Sequence, residues 1–199
     1  NLATKDIQLY LEDDNLQNKV DDFGWSGSLV NNDKDFLAVI NTNIAGGKTD
    51  NDIQQTIDHQ AEIRSNGEII NKVKITRINN GASNNPLSGI DGGNVSYLRV
   101  FTPLGSQFVE AIGFDTIPDN YFKATDYTAQ LDENLAREET KLIDGASQTE
   151  IYTSLDKTVF ANWVALKPGE SQTVSIKYKL PFKLDFGNKL TNNWWEDFY

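Results

Sequence analysis

Apolar and polar positions alternate along most of the chain from Phe36 onward, which predicts strands. Ile53, Ile57, Ala61 and Ile63 share one parity, and Ile69, Val73 and Ile75 share the same one across the turn signal Ser65-Asn66-Gly67-Glu68. A two-residue Asn66-Gly67 loop would pair odd positions with even ones and put the two apolar sets on opposite faces. A three-residue loop pairs odd with odd, so the alternation predicts a type I turn with Gly67 left-handed in a G1 bulge. In the last strand Val174, Ile176, Tyr178 and Leu180 alternate with Thr173, Ser175, Lys177 and Lys179, the pattern of a sheet with one wet face.

Two further hairpins are expected. One joins Asn94–Phe101 to Gln107–Phe114 through "TPLGS", and the other joins Thr158–Leu166 to Gln172–Leu180 through "KPGES". In the second, Pro168-Gly169 suits the central positions of a type II turn. Ahead of these, Asp6–Leu11 alternates like a short strand. A helix follows, with Asp14 as N-cap, Gln17 three residues on, Leu16, Val20 and Phe23 on one face, and Gly24 at the C-terminal stop. Trp25 then reads as a core anchor. The span from Asp115 to Ser147 is weakly patterned, with either a short second helix near 132–142 or a long polar loop.

Strands at short spacing with Gly, Pro and Asn turns predict a mainly β fold, an antiparallel β-sandwich. The expected organisation is a strand-helix-strand lead-in over 1–50 packed on the sandwich, the sandwich over 51–182, and a tail over 183–199. At 199 residues the chain can bury a sizeable core without staples, and it has no cysteine for disulfides or thiolate metal sites.

The formal charge of −11 and the lack of any basic cluster along the sequence argue against nucleic acid and against anionic lipid as partners. No apolar run approaches the ~20 residues of a membrane span. The chain contains no methionine, which leads us to expect a processed product or fragment with any anchor upstream and no membrane contact of its own.

"FLAVINTNIAGGKTDND" contains Gly-Gly-Lys-Thr at 46–49 and invites a P-loop reading. The first glycine of that motif would have to be residue 42, which is Thr42, and the following segment has the parity of a strand rather than a helix. The P-loop is rejected. Gly46-Gly47 reads as a tight connection. It is ordinarily a solvated turn with a local ion pair worth little; the calcium-loop signature is absent. It still concentrates polar groups on a glycine-shaped backbone, so Asn43, Lys48, Asp50 and Asp52 are the candidate ligand-binding residues.

No catalytic signature emerges. His59 is the single histidine and lies mid-strand, "GWSGS" lacks the last glycine of a nucleophile elbow, and nothing selects a carboxylate pair from 29 acids. No cofactor, metal site or catalytic residue is assigned. Trp194-Trp195 with Phe198 and Tyr199 could make a sugar platform, but reads better as a truncated element.

Four stretches in order, "IQLYLEDDNLQNKVDDFGWSGSL", "DFLAVINTNIAGGKTDNDIQQTIDHQAEI", "YLRVFTPLGSQFVEAIGFD" and "KTVFANWVALKPGESQTVSIKYKLPF", resemble the C-terminal half of the bacterial family named domain of unknown function 4012. The resemblance covers most of residues 7–182. It rests on Gly24-Trp25, Asn43 with Gly46-Gly47-Lys48, Tyr97-Leu98-Arg99, Pro103 with Gly105, Trp163, Pro168-Gly169-Glu170 and Leu180-Pro181. It implies an extracytoplasmic, cell-surface location with a membrane anchor in the full-length protein, and it brings no catalytic residues, since none is established for the family. The expected function is a non-catalytic surface module binding envelope glycan or a protein partner. The alternatives are a carboxylate-dependent enzyme on cell-envelope polysaccharide and a structural spacer stiffened by a Lys-Asn isopeptide.

Overall fold

The structure is a computed structural model, and it describes residues 2, 7–29, 34–44, 49–82, 93–117, 132–133 and 141–186. Two compact units divide at Lys34/Asp35.

In the first unit the helix α1 (Asp14–Asp22) is capped at both ends. The N-cap is Asp13, one residue before the expected Asp14. Its backbone is extended, and its Oδ1 accepts from the N–H groups of Asn15 and Leu16 at 3.0 Å each, satisfying two donors of the first turn. Gln17 reaches back instead to Leu11, whose N–H it accepts at 2.7 Å. At the other end Gly24 takes φ +67°. The Gly24 and Trp25 N–H groups close on the carbonyls of Asp21 and Val20 at 2.8 and 2.9 Å. That is the paired Schellman arrangement. Of the expected apolar face only Val20 is buried, while Leu16 and Phe23 are exposed and Phe23 stacks on the half-buried Trp25 at 4.7 Å. Ile7–Leu11 forms no strand: the Leu9 N–H reaches the Trp25 carbonyl at 3.0 Å, but among the described residues no strand runs alongside to continue a ladder.

The second unit is an antiparallel sandwich. Its strands are β1 (Ala38–Asn43), β2 (Ile53–Ile63), β3 (Glu68–Asn79), β4 (Asn94–Pro103), β5 (Gln107–Ile112), β6 (Leu142–Ile143), β7 (Glu150–Ser154), β8 (Lys157–Leu166) and β9 (Ser171–Lys183). They form a five-stranded sheet in the order β1-β4-β8-β7-β6 and a four-stranded sheet in the order β2-β3-β9-β5. β1 belongs to the five-stranded sheet through its ladder with β4, so the division falls at 34/35 and not at residue 50. The span 134–140 lies outside the described residues, and Leu142, at the end of the stretch read as a second helix, lies with Ile143 in a strand.

The β2–β3 hairpin has the expected register. Ile57 faces Ile75 and Ile63 faces Ile69, odd against odd. Gly67 stands at φ +80°, with the Gly67 N–H on the Arg64 carbonyl at 2.9 Å. The two other expected hairpins are not hairpins. β4 and β8 lie in one sheet and β5 and β9 in the other, so both "TPLGS" and "KPGES" carry the chain across the sandwich. Packed sheets lie about 10 Å apart, a gap that three or four residues span as easily as they turn a hairpin. Alternation reports which face a residue occupies, not which strand it pairs with. The turn chemistry at Pro168-Gly169 is as expected: Gly169 has φ +81° and the Glu170 N–H meets the Lys167 carbonyl at 3.0 Å.

Between the sheets, Val73, Ile75, Val174, Ile176 and Tyr178 pack against Leu98, Val100, Phe160 and Val164. The Phe160 ring lies 5.6 Å from Phe108 and 5.7 Å from Tyr178, joining the two layers. β8, in the middle of its sheet, is buried on both faces over much of its length. That explains why "TVFANWVAL" reads as a nearly continuous apolar run.

Candidate functional site

At one end of the sandwich the inward-facing residues change from apolar to polar without any change of parity. On β3 the series Val73, Ile75 continues into Arg77 and Asn79, and on β4 the series Val100, Leu98 continues into Ser96 and Asn94. β1 contributes Asn41 opposite Leu98 and Asn43 opposite Ser96. The interior is therefore polar at this end because the same alternation that builds the core places polar residues there.

A 3-10 turn, Thr49–Asp52, closes this end. Thr49 is buried, and its Oγ1 accepts from Asn94 Nδ2 at 3.0 Å and Asn43 Nδ2 at 3.2 Å while donating to the Gly93 carbonyl at 3.4 Å. Asn94 Nδ2 also donates to Asp50 Oδ1 at 2.8 Å. Arg77, 2% exposed, approaches the same oxygen with Nη2 at 3.7 Å, whereas the Asp50 side chain is 48% exposed. Burial pushes the affinity of Arg77 for its proton down, and the neighbouring Asp50 carboxylate opposes that. Among the described residues, Arg77 Nε and Nη1, Asn94 Oδ1 and Ser96 Oγ are buried without a hydrogen-bond partner.

Of the expected site residues, the structure brings Asn43 and Asp50 together through Thr49 and Asn94. Asp52 lies at the far end of the same turn. Its carbonyl accepts from the Asn80 N–H at 2.9 Å, and its side chain crowds Gly81, where an added Cβ would meet Oδ2 at 2.9 Å. Lys48, with Gly46 and Gly47, lies outside the described residues, as do Trp194 and Trp195. Sequence reading missed Arg77 and Asn94. The signal was present: Arg77 shares the parity of Ile69, Val73 and Ile75, and an arginine on the inward face of a core strand calls for a buried partner.

A second cluster occupies the outer face of the five-stranded sheet. The Tyr97 hydroxyl donates to Glu150 Oε2, the Lys141 ammonium pairs with the same carboxylate at 2.8 Å, and the Tyr97 and Trp163 rings lie 5.0 Å apart. Lys141 also sits over Tyr97 and Tyr152 at 5.9 and 5.4 Å. Burial, reinforced by the bond to Glu150, pushes the Tyr97 hydroxyl well above its ordinary range. These groups satisfy one another, and the arrangement fastens the β6–β7 ribbon to the sheet.

His59 is an exposed residue of β2 opposite Val73. Among the described residues no three His, Asp or Glu side chains gather as a metal site, and no helix is long and apolar enough to cross a membrane. Asp21, Glu68 and Asp144 all have their carboxyls held below the usual range, first by side-chain hydrogen bonds from Ser26, Asn66 and Ser147 respectively. A general acid needs the opposite displacement. No protein-family model, curated protein or solved structure matches the chain.

Proposed function

We propose that this chain is a non-catalytic, extracytoplasmic module of a bacterial cell-surface protein, and that it binds an envelope glycan at the polar end of the sandwich. One observation carries the reading. Asp50 presents a half-exposed carboxylate that is held from behind by two buried donors, Asn94 and Arg77. A fixed acceptor on a rigid sheet end suits a sugar hydroxyl, because its orientation entropy is spent in folding rather than in binding. The likeness to the domain of unknown function 4012 family supports the surface location.

The test is titration of ¹⁵N-labelled protein with soluble fragments of cell-envelope polysaccharide, following backbone shifts of Asn43, Asp50 and Asn94. Saturable shifts at those residues are expected. They should weaken at least tenfold in the Asp50→Asn/Arg77→Met double variant, which removes the carboxylate without stranding a buried cation. Shifts that fail to saturate, or that persist unchanged in the double variant, refute the site.

A further inference from the structure

The four-stranded sheet turns a row of lysines toward solvent. On the two central strands, Lys72 and Lys74 of β3 and Lys177 and Lys179 of β9 alternate with the buried Val73, Ile75, Ile176 and Tyr178. The register sets Lys72 directly opposite Lys177, with Lys74 opposite Ser175 on one side and Lys179 opposite Ile70 on the other. No run of the sequence shows this cluster, since its members come from strands far apart in the chain.

Two features separate the row from an ordinary solvated face. First, Lys72 and Lys177 are like charges at a directly paired cross-strand position, which costs stability. Second, among the described residues Lys72, Lys74 and Lys177 form no ion pair within 4.0 Å, although the neighbouring strands offer acids. Asp58 is registered against Lys74, and Glu110 against Lys177. The cations farther along are engaged: Glu68 takes Lys183 at 3.3 Å and Lys179 at 3.8 Å. The free charges thus concentrate at one end of a positive track running along the strands, with acids on both flanking strands.

Successive lysines along one strand are about 6.7 Å apart, two residues at ~3.3–3.4 Å each. We propose that this face binds a linear polyanion laid along the strands, specifically a phosphodiester-linked polyol, whose charges recur at about that interval. Lysine acts as a point charge toward phosphate and needs no bidentate geometry. The flanking Asp58 and Glu110 repel a chain lying across the strands, so the polymer runs lengthwise. Single-stranded nucleic acid has a similar charge interval but relies on aromatic stacking. The outward positions around the row, Thr56, Gln60, Thr76, Thr173 and Ser175, offer none. The choice of polymer rests on the cell-surface reading above; the charge row itself does not.

The experiment is calorimetric titration of the 199-residue chain with a defined poly(glycerol phosphate) oligomer at several salt concentrations, beside a single-stranded oligonucleotide of equal charge. Binding to the polyol phosphate is expected, with affinity falling steeply as salt rises. Lys72→Gln/Lys177→Gln should weaken it at least tenfold and make the log–log salt slope shallower by about 1.5. Lys72→Arg/Lys177→Arg should retain it, which controls for folding. The Asp50→Asn/Arg77→Met variant should bind the polymer as the parent does, so failure of the glycan site and failure of the lysine face are read separately. No binding to the oligomer, binding unchanged by the glutamine pair, or equal binding of the oligonucleotide each overturns the proposal.

Discussion

Arg77 and Asp50 form an unequal pair, and the inequality sets which partner the fold can lose. At 3.7 Å the gross attraction is about 4–5 kcal/mol for an effective dielectric near 20. Against it stand a desolvation cost of several kcal/mol for the buried guanidinium and roughly 1–3 kcal/mol for each of its unpartnered nitrogens, Nε and Nη1. Arg77→Met removes all of these together and keeps the apolar stem. Asp50 is not stranded, since it is half-exposed and still holds Asn94. The expected change is within about 1 kcal/mol of zero, on either side. Arg77→Ala also removes the stem and opens space, so it should cost about 2–4 kcal/mol. Asp50→Ala leaves the buried cation without its counter-charge and should cost about 3 kcal/mol or more. Adding Arg77→Met to Asp50→Ala should recover most of that loss. Urea unfolding at pH 7 measures all four variants, with unchanged m-values as the check on comparability. An Arg77→Met variant as damaged as Asp50→Ala would refute the reasoning, because it would mean that the guanidinium is a net contributor and not a tolerated burial.

Three further expectations test local features. The β7–β8 turn holds Leu155 and Asp156 at φ +52° and +55°, so replacing them by Asn-Gly should raise stability by about 1 kcal/mol in the same assay; no gain would mean that the turn contributes contacts beyond its backbone. Gly67→Ala should cost roughly 2 kcal/mol or more, because φ is +80° and the new Cβ would strike the Leu184 carbonyl; a neutral result would show that residue 184 swings away freely. Asp144 accepts from both the hydroxyl and the N–H of Ser147, at 2.7 and 2.8 Å, which holds its carboxyl below the usual range. Its folded pKa lies below its unfolded one, so its stabilising contribution is present above the unfolded value and is lost as pH falls through the folded value. Ser147→Ala should move the Asp144 titration upward by carbon-detected NMR, and an unmoved midpoint would refute the assignment of cause.

What the sequence made legible was anything fixed by one strand or one turn. The odd-to-odd pairing of β2 with β3 followed from two apolar series and one glycine, and Gly67 does take the left-handed conformation that the register demands. Gly24 and Gly169 likewise stand where a helix end and a type II turn need positive φ. The misreadings concern partners. "TPLGS" and "KPGES" have hairpin composition, yet each connects opposite sheets. At the first, the Gly105 N–H is taken by Thr158 Oγ1 at 2.9 Å; at the second, Asn79 exchanges backbone bonds with Gly169 and Glu170 at 2.8 and 2.9 Å. Those anchors are long-range, so no local pattern announces them. Ile7–Leu11 fails for the same reason: its alternation is strand-like, but a strand exists only where a neighbour accepts its hydrogen bonds.

The same distinction governs the two proposed surfaces. Asp50 could be placed in a polar connection from the sequence, because its neighbours there are sequential. Its orientation could not, because the groups that hold it, Arg77 and Asn94, come from the far ends of β3 and β4. The lysine face is hidden more completely. Lys72 and Lys74 look like the wet side of one strand and Lys177 and Lys179 like the wet side of another, each unremarkable in a chain of net charge −11. Only the β3–β9 ladder, which sets Lys72 against Lys177, turns two neutral-looking alternations into one positive track. Bulk charge excludes a polyanion only when charges of both signs are evenly spread. A sheet that gathers cations on its central strands can attract a polyanion locally, since screening over about 8 Å at physiological salt damps the charges of the rest of the molecule, while Asp58 and Glu110, one strand away from the row, still act on the polymer and confine it lengthwise.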